Sequence, residues 1–532
     1  MALLLTDVRV LPLNGRQSPC AANSGYVEDD LLLDVLVIDG RVAAVEERLP
    51  RAGLTAVHAL EVVDGGGAWL IPGLWDQHVH CLQAGADRAR LDVSATQTAE
   101  DVAALVGAHI AEQDRAGVDP RAIVSASGYR SATWPRAASV AELDAISGEH
   151  PVIVVSGDCH NGWLNSAALR LLDVPLRPGT LEEAEWFEVM GRLRDLPAVR
   201  GAGELGLREL VRDLNARGVV GLVDMEHAAA WLDWPARLAG GAGLAPIDTL
   251  RVRASVYPER LDEVLAAGLR SGDPLTPADQ RQDPGGLARM GPLKIISDGS
   301  LGTRTAYCCD PYVGAAELPF PSGVLNYARG ELLDLAARAR AAGLEVALHA
   351  IGDAAVAQAL DVFEATGARG AVEHAQLMRW QDIPRLAELG VRASVQPAHL
   401  LDDRDVTASC WPTGEARSFP LQTMHAAGVD LRFGSDAPVA PADPWLAIAV
   451  ATHRSGDDRP PWHPEQQLGV GTAISASTDG WGTVSPGHPG DLVLLEDHPF
   501  GSPWDSTAAT AARLRATRPL ATFVAGRLVH SR

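Results

Sequence analysis

The chain almost lacks lysine: of its 45 basic residues, one is Lys294 and all the others are arginine. Heavy use of Ala, Arg and Gly reflects genomic base composition. That bias explains the missing lysines but not the one that is kept. Paired cysteine motifs are also missing. Cys20, Cys81, Cys159, Cys308, Cys309 and Cys410 are scattered without a CxxC, which excludes a zinc knuckle or a disulfide framework and fits a reducing cytoplasm. No apolar run approaches the ~18 residues of a membrane span. The opening MALLLTDVRVLPLNG has no basic region or small-residue cleavage site and reads as a β-strand. Positive charge is outnumbered by 68 acidic residues, giving a net charge of −23. Such a surface repels phosphate backbones and anionic lipid, so no nucleic acid and no membrane is expected as a partner. Aromatics make up only 5%, yet thirteen are tryptophan, which points to an aromatic-lined pocket as well as core packing.

A chain of 532 residues with 47% hydrophobic and 21% charged residues is too long for one ordinary core. Its two ends read as antiparallel β-structure. LLLDVLVIDGRVAAVEERL turns at Asp39-Gly40-Arg41, and LATFVAGRLVHSR turns at Ala525-Gly526-Arg527. The expected layout is a β-sandwich built from residues 1–71 and 481–532. Between them, residues 72–480 alternate short apolar strands with Ala/Leu/Arg-rich helices. Eight strands can be read: PGLWDQHVH, GVVGLVDME, LRVRASVY, GPLKIISDG, LEVALHAIGD, GAVEHAQ, VRASVQPAH and LRFGSDAP. This is the α/β pattern of a (β/α)₈ TIM barrel. After its first strand comes an inserted subdomain at about 82–201, with strands of its own.

Barrel active sites form at the C-terminal ends of the strands, so what each strand ends in matters. The first carries Asp76, His78 and His80 at every second position, hence on one face, where two imidazoles can grip one ion. The fifth ends in His349 and Asp353, the sixth in Glu373 and His374, and the eighth in Asp436. Any one of these, alone, is as well explained as a satisfied buried polar residue. Four imidazoles and a carboxylate at one mouth are not, and the N,N,N,N,O set suits zinc or another first-row ion. Lys294 falls at the end of the fourth strand. Burial and neighbouring cations favour its neutral amine, which can add carbon dioxide. The resulting carbamate is anionic and can bridge two metal ions, which a guanidinium cannot do.

These residues lie in IPGLWDQHVH, SGDCHNGWLNSAAL, LKIISDGSLGTRTAY, VALHAIGDAAV, VEHAQL, SVQPAH, FGSDAPV and GHPGDLVLLEDHP. Together these segments resemble the amidohydrolase superfamily, in its branch of YtcJ-like hydrolases related to N-substituted formamide deformylase, nearly end to end. The resemblance implies a barrel plus a β-sandwich from both termini. It implies His78 and His80 as ligands of the more buried ion, Lys294 as the carboxylated bridge, and His349 and His374 as ligands of the second ion. Asp436 becomes both ligand and proton shuttle in hydrolysis by metal-activated hydroxide. One or two divalent ions are expected, zinc first, with manganese or iron as alternatives. His160 matches the signature D-G-H-x-x-W-x-N-S as a catalytic and substrate-binding residue, although Cys159 stands where glycine is usual. Asp298, Arg304, Gln396 and His399 are expected to line the pocket, and Cys81 either fills a small buried space or narrows the pocket. The resemblance implies C–N bond hydrolysis of a small-molecule substrate, with a homodimer as the suggested assembly, and the cysteine usage adds the expectation of a cytoplasmic enzyme. The alternatives are an esterase or lactonase on the same centre, or a scaffold that has lost its chemistry. A deaminase fits less well, because its H-x-x-E on strand five would need glutamate where Gly352 stands.

Overall fold

The computed structural model describes residues 2–13, 31–50, 60–131, 134–227, 229–241, 243–276, 286–411, 417–502 and 504–532. Cys20 lies outside these residues. Eight parallel strands form one sheet in chain order: β1 (Leu74–Val79), β2 (Val219–Asp224), β3 (Arg251–Val256), β4 (Ala288–Ile296), β5 (Val346–Ala350), β6 (Gly370–His374), β7 (Arg392–Val395) and β8 (Leu431–Phe433). A parallel bridge from Val79 to Ala437 joins the two edges and nearly closes the barrel. All eight strands expected from the sequence are present.

The reason they were readable is burial on both faces. β1, β2, β5 and β6 are buried at every position, so each appears as a short apolar run instead of an alternating one. Gly221 on β2 makes room for the neighbouring Trp75, because a Cβ there would lie 2.4 Å from the indole. Helices packed outside the sheet include Arg329–Ala342 and Asp353–Thr366. They stop at Gly343 and Gly367, whose φ values of 78° and 62° supply the left-handed turn that ends a helix. The helix Pro444–His453 starts on Asp443, whose Oδ1 accepts from the amides of Trp445 and Leu446 at 3.0 and 3.3 Å.

Between β1 and β2 the chain builds a separate five-stranded sheet, ordered Leu181–Glu182, Asn161–Leu164, Val152–Ser156, Val124–Tyr129, Leu91–Asp92. The hairpin between Val152–Ser156 and Asn161–Leu164 carries Asp158, Cys159 and His160 at its tip. Trp163 and Asn165 hold its base. The Trp163 indole is fully buried and donates to the Ser139 carbonyl at 2.8 Å. Asn165 Oδ1 accepts from Ala168 N and Val152 N. A further eight-stranded sheet takes strands from both ends of the chain, with Trp69–Pro72 antiparallel to Leu492–Leu495 at its centre. Among the described residues no helix is long and apolar enough to cross a membrane.

Candidate metal centre and active site

The C-terminal ends of the barrel strands open into a cavity of about 740 Å³. His78, His80, Lys294, His349, His374 and Asp436 all reach it. On β1, His78 is fully buried and its Nδ1 lies 2.7 Å from Glu373 Oε2. A carboxylate partner places the proton on Nδ1 and leaves the Nε2 lone pair for a ligand. That Nε2 stands 3.1 Å from Lys294 Nζ and 3.5 Å from Asp436 Oδ1. Burial, reinforced by Lys294, lowers the His78 pKa to about 4, so the ring is neutral. Burial pushes the Glu373 carboxyl up, but the His78 hydrogen bond outweighs it and keeps Glu373 ionised.

His80 Nε2 lies 3.2 Å from Asp436 Oδ1. Burial alone would raise the Asp436 pKa, but the surrounding histidines, His78 first, hold it well below the usual carboxylate range. Two ligand-sized groups result: His78, His80 and Asp436, and His374, His399 and Asp436, each with donor atoms within 4.8 Å of one another. Three buried nitrogens, His80 Nδ1, His374 Nδ1 and His399 Nε2, have no hydrogen-bond partner. Orphan imidazole nitrogens around an anionic carboxylate are costly unless a cation satisfies them. The residues therefore fit a divalent metal ion.

His349 sits beside this group, its ring 4.5 Å from that of His374. Its Nε2 lies 3.4 Å from the Gly299 carbonyl, which leaves the lone pair on Nδ1. Burial lowers the pKa of Lys294, a side chain only 1% exposed, toward the neutral amine, against the opposite pull of Glu373 and Asp436. His374 and Asp436 share a backbone feature, φ values of 70° and 58° in the left-handed region. Such strain in non-glycine residues collects at functional sites and re-aims side chains that simple strand alternation would direct elsewhere.

His160 reaches the cavity from the hairpin tip, with its ring 6.2 Å from that of His349. Three other expected pocket residues are not part of the wall. Asp298 is fully buried behind His349, its oxygens accepting from the amides of Ile351, Gly352 and Tyr307. Gln396 is 1% exposed and donates to the Ser394 carbonyl. Arg304 is directed to Cys410, whose thiol pKa burial raises and Arg304 lowers. His399 lines the cavity and also belongs to the second ligand group. Cys81 is completely buried in the barrel core. Cys159, where the family resemblance places a glycine, has a left-handed backbone with φ at 62°.

Sequence reasoning missed two carboxylates. Glu373 was visible next to His374 but had no role assigned; its partner, His78, lies 295 residues away. Glu183 came from a part of the excursion with no readable motif.

A (β/α)₈ barrel whose mouth gathers imidazoles, a carboxylate and a buried amine around a cation site is the layout of a metal-dependent hydrolase. An amidohydrolase family profile matches residues 61–530, and the chain belongs to the amidohydrolase family. It is 25% identical to the putative amidohydrolase YtcJ of Bacillus subtilis (strain 168), over 89% of this chain and 91% of that protein. It is 25% identical to N-substituted formamide deformylase of Arthrobacter pascens, over 94% and 95%. Protein LONG AFTER FAR-RED 3 of Arabidopsis thaliana is also 25% identical, over 99% and 97%. An uncharacterized metal-dependent hydrolase from Pyrococcus horikoshii OT3 has the same fold, with a TM-score of 0.73 at 24% identity, covering 94% of this chain and 99% of that one.

Proposed function

We propose that the chain hydrolyses a C–N bond in a small amide or formamide-like substrate, with zinc as the ion and Lys294 as a carbamate. The observation that carries this reading is the convergence of His78, His80, His374 and Asp436, with orphan nitrogens, on one cavity beside a buried amine whose pKa burial lowers. The formamide deformylase relative supports the choice of substrate class. We also read the sheet between β1 and β2 as an inserted unit and the sheet from both termini as one β-sandwich domain.

A divalent cation held at this site supplies Lewis acidity and brings water close to a neutral pKa. The protein's own groups do the rest. Glu373 fixes His78 so that Nε2 faces the site. Asp436 is the ionised carboxylate at the cavity floor. It accepts a proton as water adds to the carbonyl and releases it to the leaving nitrogen, so that amide and water become carboxylic acid and amine.

The test is hydrolysis of an N-alkylformamide and its matched formate ester by protein loaded with zinc or manganese. Preference for the amide with Asp436→Asn reduced by about 10²–10⁴ supports the reading. Faster ester cleavage would favour an esterase, and no turnover with a full complement of metal would sink both. Labelled carbon dioxide reports the carbamate separately: its ¹³C signal should be present in the wild type and absent in Lys294→Met.

A further inference from the structure

The excursion between β1 and β2 contributes more than a wall to the cavity. Its hairpin tip presents His160, whose Nδ1 donates to Glu183 Oε2 at 3.0 Å. Glu183 opens the helix Glu183–Asp195 and does not itself line the cavity. Its other oxygen, Oε1, accepts from Thr303 Oγ1 at 2.8 Å and from Thr305 Oγ1 at 2.6 Å, both on the loop after β4. The carboxylate is thus held from two sides and in turn holds one imidazole. No protein group takes His160 Nε2 among the described residues, and the ring faces the cavity next to His349.

The surroundings are built to keep this arrangement. Cys159, just before His160, and Glu183 itself adopt left-handed φ values, 62° and 48°, and Arg304 does so at 57° on the loop after β4. The Glu183 amide donates to the His160 carbonyl at 3.0 Å, tying the two backbones together. The loop after β4 fits against them only where side chains are absent. A Cβ on Gly302 would lie 2.4 Å from Asp158 Oδ2, and one on Gly299 would lie 1.9 Å from Thr305 Oγ1 and 3.0 Å from Glu183 Oε1. Asp158 completes the contact, accepting from Ser300 Oγ at 2.9 Å. Strain in several residues around one ring is tolerated where the surrounding structure enforces it, and it marks functional positions.

We propose that Glu183 is a positioning residue that fixes His160 with Nε2 turned into the cavity, where it hydrogen-bonds the acyl oxygen of the substrate. The proposal rests on the hydrolytic reading above. The charge balance leans the same way: burial alone would lower the His160 pKa, but Glu183, then Asp158 and Asp436, raise it to about 9, toward a ring that donates from both nitrogens. An imidazolium is a strong donor for an oxygen that gains negative charge as the carbonyl is attacked.

The experiment uses metal-loaded full-length protein with N-butylformamide as probe and the variants Glu183→Gln, His160→Gln and the double variant. Glu183→Gln should lower kcat by roughly ten- to hundredfold, the cost of removing a carboxylate that orients a working imidazole. KM, metal content and melting temperature should stay near wild type. In the His160→Gln background the same change should cost almost nothing, because Glu183 acts through that ring. An unchanged kcat in Glu183→Gln, or an equal cost in both backgrounds, would overturn the proposal. A readout independent of turnover separates it from the choice of substrate. In ¹⁵N-histidine-labelled protein, the His160 Nδ1 proton, identified by its loss in His160→Gln, should be strongly downfield and should vanish in Glu183→Ala. Adding formate should move the His160 Nε2 resonance. If N-butylformamide is not cleaved but both spectral results hold, the substrate choice fails and the positioning role stands. If the downfield proton is missing or formate leaves Nε2 unmoved, the positioning role fails.

Discussion

Two carboxylate-held imidazoles reach the same cavity from different elements, and they have opposite electrostatic outcomes. In the barrel, Glu373 holds His78 at 2.7 Å; in the excursion, Glu183 holds His160 at 3.0 Å. Burial lowers His78 to about 4, with Lys294 adding to the effect, whereas for His160 the carboxylates outweigh burial and the value rises to about 9. The same pair of side chains therefore gives a neutral ring in one place and a cation in the other. Burial is the largest influence on both rings: Lys294 adds to it at His78, against Asp436 and Glu373, whereas Glu183, Asp158 and Asp436 together overcome it at His160. A carboxylate beside histidine is by itself no guide to the charge on the ring.

The contrast can be broken at either end. The largest effect is expected from the two imidazoles themselves. His78→Ala should strip the ion and reduce turnover by about 10³-fold or more, while His160→Ala should keep its metal; elemental analysis beside kinetics distinguishes them. Next comes the barrel carboxylate. Glu373→Gln should weaken metal affinity by roughly 10- to 100-fold, measured by competition with a chromogenic chelator, whereas the matching change at Glu183 should leave affinity intact.

Acid should separate the pairs in metal-free protein. His78 has a folded pKa below its unfolded value, so the unfolded chain binds the proton first. Stability is then lost as pH falls from about 6.5 to about 4, by up to ~3 kcal/mol. Replacing His78 with Gln should flatten the melting curve against pH in that window. The His160 pair behaves in the reverse sense. The His160 contribution is complete below about 6.5 and is lost as pH rises through about 9. That of Glu183, lowered to about 2 because His160 and two threonines outweigh burial, is complete above about 4.5 and is lost as pH falls through about 2. A melting series from pH 7 to 10 should therefore decline less in Glu183→Gln than in wild type. The smallest effect is backbone strain beside His160. Cys159→Gly should stabilise the fold by about 0.5–1 kcal/mol, seen as a modest rise in denaturation midpoint, since glycine adopts the φ of 62° freely.

The barrel was legible because each buried parallel strand is an apolar run, against which a terminal His, Lys or Asp stands out. Lys294 was the clearest case, because no other lysine competes with it. What escaped the sequence depends on chain reversal and distance. Neighbours on a strand point to opposite faces, so Glu373 and His374 did not look like members of one site. The left-handed turn at His374 lets its ring reach the cavity while Glu373 stays beneath His78. Glu183 meets His160 only because a hairpin tip and a helix start converge, and no residue spacing announces that. Asp298, Arg304 and Gln396 lie near cavity residues in sequence, yet their side chains turn toward backbone amides, a thiol and a carbonyl.

The seam between β1 and β8 has a consequence for how the protein comes into being. Asp436 N donates to the His78 carbonyl at 2.7 Å, and Ser435 N donates to Asp76 Oδ1 at 2.8 Å, a contact spanning 359 residues. The C-terminal ends of the first and last strands thus supply the two halves of one candidate ligand group, and the halves meet only when the ring is complete. Loop closure over such a span is slow compared with local pairing, so metal capture should trail secondary structure during refolding. A ribosome-bound chain that has not yet released β8 would be a barrel in outline and chemically silent.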